Sequence, residues 1–132
     1  MKTLSDLQAA AAEFCKRVNA ECTLTDPVPV SALRKAGALR HQTWAASAGA
    51  YAILEGLNVR YVGRALKGNT LAGRLGEHLR ARTGDICRAL SHPGAQIVVF
   101  SLTNDDAWLA PSLELLLQAR LRDAGFLNRK RS

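Results

Sequence analysis

The sequence predicts an α+β domain, a three-stranded and largely antiparallel sheet flanked by helices over residues 48–132, preceded by an N-terminal helical extension over residues 1–47. Three observations predict it. Ala48 to Leu54 and Val59 to Gly63 are short apolar or β-branched runs separated by Glu55-Gly56-Leu57-Asn58, which has the Gly and Asn of a hairpin loop. Gln96 to Leu102, with Ile97, Val98, Val99 and Phe100 in succession, reads as a buried third strand. Leucines recur at helical spacing as Leu71, Leu75, Leu79 and again as Leu113, Leu116, Leu117, Leu121.

Taken in order, Leu4, Leu7, Ala11, Phe14 and Val18 form an amphipathic stripe, with Thr3 or Ser5 as its cap. Thr23 to Pro29 reads as a loop, because Asp26-Pro27 and Pro29 remove donors and restrict the residues before them. Val30 to Leu39 adds a short basic helix ending near Gly37. The segment to Trp44, with Arg34, Lys35 and Arg40, either covers the sheet or contacts a groove. With a three-residue hairpin loop the opposed positions sum to an even number, which puts Tyr51 and Tyr61 on one face. Asn69 or Thr70 caps the next helix, Thr83-Gly84 stops it, and Arg74 and His78 stand one turn apart on one side of it. A helical turn from Asp85 to Leu90 is broken by His92-Pro93-Gly94. The last helix begins near Asn104 or Asp105. Pro111 either kinks it or opens a new one, and Glu114 falls on the edge of the leucine stripe, where it can face a cleft.

A hydrophobic fraction of 48% over 132 residues is enough for one core without disulfides or a structural metal. The formal charge of +7 favours polyanions. Positive charge is densest where Arg60, Arg64, Lys67, Arg74, Arg80, Arg82 and Arg88 are opposed only by Glu77 and Asp85, and Arg64, Lys67, Arg80 and Arg82 are the expected nucleic-acid contacts. Cys15, Cys22 and Cys87 form no CxxC pair and no zinc-like spacing with His41, His78 or His92. They are read as reduced and structural, which suits a cytoplasmic chain. No stretch has the length of a membrane span, so no membrane partner is expected.

The candidates for chemistry are Tyr51, Tyr61, Arg74, His78 and Glu114. Singly, each has a plain structural explanation: aromatics half-buried on strands, a solvated Arg74–Glu77 pair, a boundary histidine. Glu114 among leucines is harder to explain so, since an ionised carboxylate beside an apolar stripe needs a partner or a metal. Their order and spacing carry more. Gly49-Ala50-Tyr51, then Tyr61-Val62-Gly63, then Arg74 with His78, then Glu114 in Leu113-Glu114-Leu115-Leu116, then Leu127-Asn128, together resemble the GIY-YIG nuclease family, over most of the chain from Gly49 to Asn128. The departures are Ala50 in place of isoleucine and a Lys67-Gly68-Asn69 loop longer than in compact members.

The resemblance implies a GIY-YIG-like nuclease domain over 48–132, a DNA endonuclease with one divalent ion, Mg²⁺ or Mn²⁺, on Glu114. It gives Tyr51 the place nearest the nucleophile, as base or as proton relay, lets Tyr61 orient the water with His78 sharing the general-base or hydrogen-bonding work, and makes Asn128 a brace for the glutamate helix. The residue chemistry is compatible. Arg74 offers a permanently charged planar fork for phosphoryl oxygens, and a hard ion needs few protein ligands. A phenol is a base only if nearby positive charge lowers its pKa. Whether Tyr51, Tyr61 or His78 finally takes the proton stays open. Gly63 either lets a phosphate or helix approach, or simply ends the strand. The rival readings are a binding module of the same fold without turnover, and an interaction domain using Leu7, Phe14 and Val18. RNA is not excluded as a partner, and monomer and homodimer are both compatible.

Overall fold

In the computed structural model, which describes residues 2–66, 68–123 and 126–127, the chain runs α1 (Leu4–Val18), β1 (Cys22–Leu24), β2 (Val28–Pro29), α2 (Val30–Leu33), β3 (Gly49–Glu55), β4 (Asn58–Ala65), α3 (Leu71–Arg80), α4 (Asp85–Leu90), β5 (Ala95–Leu102), a 3₁₀ turn at Asn104–Leu109, and α5 (Ala110–Leu121). The class is α+β, and the sheet is antiparallel throughout its pairings. It has five strands rather than the expected three. β1 and β2 both pair with β5, followed by β3 and then β4.

The extra strands come from the segment expected to be a loop. Cys22 to Leu24 oppose Leu102 to Phe100, and Val28 and Pro29 oppose Ile97 and Gln96. Between them Thr25 donates its backbone N–H to the Val99 carbonyl and accepts the Val99 N–H on its hydroxyl, both at 3.0 Å. The prolines are tolerated because this is an edge, and Pro29 sits at the end of a two-residue strand.

Every residue from Gly49 to Leu54 is buried, so β3 has an apolar layer on each side, and its alternation divides the core in two. Ala50, Ala52 and Leu54, with Val62, Val98 and Phe100, face Leu7, Ala11 and Phe14 of α1 and Leu113, Leu117 and Leu121 of α5. Tyr51, Ile53, Ile97 and Val99 face the other way, toward Val30, Leu33, Trp44, Leu71, Leu75 and Leu90. Residues 1–47 thus contribute to both layers. Trp44 and the α2 turn cover the sheet, while Val18, at the end of the α1 stripe, is 38% exposed.

The hairpin reaches its register by a different route from the one expected. Glu55 opposes Asn58, leaving a two-residue turn, Gly56-Leu57. A shift between Ile53 and Leu54 then inserts Arg60 as a bulge, beyond which Ile53 opposes Tyr61 and Tyr51 opposes Gly63. The tyrosines share a face as the parity argument requires. Groups along β4 that do not pair with β3 are taken up elsewhere: Val59 N–H by the Lys2 carbonyl at 2.9 Å, the Arg60 carbonyl by Leu127 N–H at 2.6 Å, and the Val62 carbonyl by the buried Gln118 amide at 3.2 Å.

Thr70 caps α3, accepting the Gly73 N–H on its hydroxyl at 3.2 Å. The helix stops at Arg80, earlier than Thr83-Gly84, because Ala81 turns to extended backbone; Gly84, at φ 100°, opens α4 instead. Pro111 lies in the first turn of α5, where it opens a helix and does not kink one. The cysteines hold a contact that their spacing does not suggest. Cys15 and Cys22 are free thiols with sulfurs 3.0 Å apart between α1 and β1, and burial pushes the Cys22 thiol up to about 12.

Gly49 is fixed by close approach, since a Cβ there would lie 2.0 Å from the Phe100 carbonyl oxygen of the neighbouring strand, at a φ of 155°. Gly49→Ala is expected to cost about 3 kcal/mol of stability, read as a lower urea midpoint at unchanged m-value.

Candidate active site

Three rings meet on the α3 side of β3 and β4. The Tyr51 hydroxyl is 2.6 Å from His78 Nε2. Ring centroids are 6.2 Å apart for Tyr51 and Tyr61, 5.7 Å for Tyr51 and His78, and 5.9 Å for Tyr61 and His78. Tyr51 is 0% exposed, and its ring occupies the space over Gly63: a Cβ at position 63 would lie 2.4 Å from the hydroxyl oxygen and 2.5 Å from Cζ. Of the two readings of Gly63 neither is complete. The close approach is that of the Tyr51 ring itself.

On the far side of Tyr61 a cavity of about 360 Å³ is lined by Tyr61, Arg64, Asn69, Arg74 and Glu114, among others. Arg74 is held by Glu77 at 3.1 Å, and Glu77 in turn by the Asn69 amide at 2.8 Å, so a pair that reads as solvated in the sequence aims the guanidinium. Glu114 arrives from α5, on the opposite layer. Its side chain is 13% exposed and accepts a hydrogen bond from Arg64 Nη1 at 2.8 Å.

Four of the five expected residues thus border this cavity or the adjoining depression that Tyr61, His78 and Leu127 line. Tyr51 lines neither. Its buried hydroxyl nevertheless interacts with the cavity residues Arg74 and Tyr61 as well as with His78. Arg64, an expected nucleic-acid contact, is paired with Glu114 in this state, while Arg80 and Arg82 line a separate groove with Arg34. Gly49 acts through sheet packing alone. Lys67 and Asn128 lie outside the described residues. Sequence reasoning missed Arg64 as the partner of Glu114 and Asn69 as the brace of Glu77. The signal for the first was parity, since Arg64, two residues on from Val62, shares its face of β4 and so faces α5.

The electrostatics follow from burial. Desolvation pushes the Tyr51 hydroxyl far above the usual phenol range, Tyr61 adds to this, and the charge of Arg74 opposes it without prevailing. Tyr61 is also raised, again by burial first, with Arg74 opposing and Glu114 adding. His78 is lowered by burial and then by Arg74, against the pull of Glu77. At neutral pH both phenols are protonated and the imidazole is neutral. In the tautomer with its proton on Nδ1, His78 accepts from the Tyr51 hydroxyl at Nε2, an arrangement suited to relaying a proton.

A divalent ion would meet a sparse donor set. Among the described residues no three His, Cys, Asp or Glu side chains cluster. The single carboxylate at the cavity fits an ion that keeps most of its waters and takes substrate oxygens, and does not fit one that demands a protein cage. Comparison with models of known protein families, with curated proteins and with solved structures gives no match.

Because folding depresses the His78 pKa below its ordinary 6.5, the unfolded chain takes the proton first as pH falls. The contribution of this residue to stability is present in full above that value and is lost as pH falls through the depressed folded value. Urea unfolding compared near pH 8 and near pH 5 is expected to show a smaller loss in His78→Gln than in the parent chain.

Proposed function

We propose that this chain is a divalent-metal-dependent endonuclease of the GIY-YIG type that hydrolyses DNA phosphodiester bonds. The observation that carries the reading is the lining of one cavity of about 360 Å³ by Tyr61, Arg74 and Glu114, which come from different elements and from both layers of the fold. The buried Tyr51–His78 bond directly behind it supplies a proton path.

In this reading Arg74 meets the charge that builds on the phosphoryl oxygens, with its fork oriented by Glu77. The Tyr61 hydroxyl, at the cavity wall, holds the attacking water. The water proton passes to the Tyr61 hydroxyl, which gives its own to Tyr51, and Tyr51 gives its own to His78 Nε2, so that both phenols end as they began and the imidazole carries the charge. The oxygen of the water bonds to phosphorus, and the ester oxygen on the opposite side leaves and is protonated from solvent. Of the two roles the resemblance gives Tyr51, base or proton relay, this is the relay. Glu114 would hold Mg²⁺ or Mn²⁺, which when bound supplies further positive charge for the phosphoryl oxygens. Arg64, 43% exposed at its side chain, exchanges the carboxylate for a substrate phosphate as the strand arrives.

The second reading is a nucleic-acid-binding module of the same fold without turnover. The Arg64–Glu114 ion pair favours it, because a guanidinium already satisfies the one carboxylate at the cavity. Supercoiled plasmid separates the two. The proposed enzyme nicks it with Mg²⁺ or Mn²⁺ and stops with chelator. Arg74→Ala and Glu114→Ala each lose about 10²–10³-fold in rate, and Tyr51→Phe loses at least about 10²-fold by breaking the relay. Retention of nicking by Glu114→Ala, or no nicking by the parent with either ion, overturns the hydrolase reading.

A further inference from the structure

The arginines of this chain divide into those with a carboxylate and those without. Arg17, Arg60, Arg64, Arg74, Arg88 and Arg120 are each in an ion pair. Arg34, Arg40, Arg80 and Arg82 are in none of the ion pairs among the described residues, and three of them, Arg34, Arg80 and Arg82, line one groove of about 900 Å³ between α2, the end of α3 and α4. No carboxylate lines it; Ser31, Ser91 and His92 supply the remaining polar groups. Arg34 donates to the Leu79 carbonyl at 3.0 Å, which anchors it at the wall and leaves most of its donors unused. Exposed like charges brought together without a counter-charge repel one another, and a polyanion relieves that repulsion.

The groove adjoins the candidate active site by way of the depression beside Tyr61 and His78. The depression beside Tyr61 and His78 shares Tyr61 with the catalytic cavity, and shares Ala81 and Cys87 with the groove. Its walls in between include Ile86 and Leu127, which suit a sugar or an unstacked base more than a phosphate. We infer that the groove holds the phosphodiester backbone of the same nucleic-acid strand that enters the catalytic cavity, on one side of the cut. Arg80 lies six residues beyond Arg74, about 9 Å along the axis of α3. At no less than about 3.4 Å per phosphate, the gripped phosphates are at most two or three removed from the one at Arg74. The strand direction is thereby set by the protein, and a substrate too short to reach the groove loses its grip. This deepens the nuclease reading and rests on it for the identity of the strand, while the binding it requires is measurable without any cutting.

The test uses the full chain in chelator, with fluorescein-labelled single-stranded oligothymidylates of roughly 2 and roughly 16 nucleotides, followed by anisotropy across a salt series. Arg80→Ser/Arg82→Ser is expected to weaken the longer oligonucleotide about tenfold and to reduce its log–log salt slope by about 1.4, close to 0.7 for each phosphate released. The shorter one should change little. Arg80→Lys/Arg82→Lys, with the charge kept, restores most of the slope. Unchanged affinity and slope in the serine variant overturns the groove, as does an equal loss in the lysine variant. Displacement of the longer oligonucleotide by polyglutamate at equal charge overturns it in favour of an acidic peptide. Failure of the plasmid to be nicked leaves this result standing, and a silent groove leaves nicking standing, so the two readings fall separately.

Discussion

The ring of Tyr51 lies where a side chain at position 63 would otherwise be, and the candidate site is arranged around that contact. The bare backbone of Gly63 lets the ring lie flat across β4, and the hydroxyl then emerges at His78. Burying a phenol is costly unless its hydroxyl is hydrogen-bonded, so Tyr51 needs an acceptor and His78, made neutral by the same burial, is one. Removing the space at Gly63 would displace the ring, and with it the relay, before any residue at the cavity had been touched.

The second constraint is topological. β4 is the last strand of the sheet, and no further strand separates the two helical layers beyond it. Tyr61 on one face and Arg64 on the other reach around this border, which is how Glu114 from α5 and Arg74 from α3 line the same cavity although they belong to opposite sides of the core. A central strand would have kept them apart. The basic groove lies between the end of α3 and α2, and the depression beside His78 shares lining residues with both it and the cavity.

The hairpin, the third strand and the helices around Leu71, Asp85 and Leu113 are legible in the sequence because each depends on local periodicity. The shared face of the two tyrosines is legible too, although the two-residue turn and the Arg60 bulge that produce it are not: parity constrains the sum of the opposed positions and not the route to it. Thr23 to Pro29 reads as a loop because proline rules describe sheet interiors, while this segment pairs at an edge through a threonine hydroxyl. The five candidate residues are recognisable by type and order. Their depth is not, since enclosure of Tyr51 and exposure of Tyr61 follow from how α3 lies on the sheet. The Cys15–Cys22 contact is hidden for the same reason, being made by the angle between α1 and β1.

The bonds along the outer side of β4 bear on assembly. Lys2, Gln118 and Leu127 occupy three backbone groups there, so a second copy adding its own strand would have to displace the N-terminus, α5 and the segment at Leu127 together. Contact between copies through helical surfaces carries no such cost and leaves the cavity at that border open.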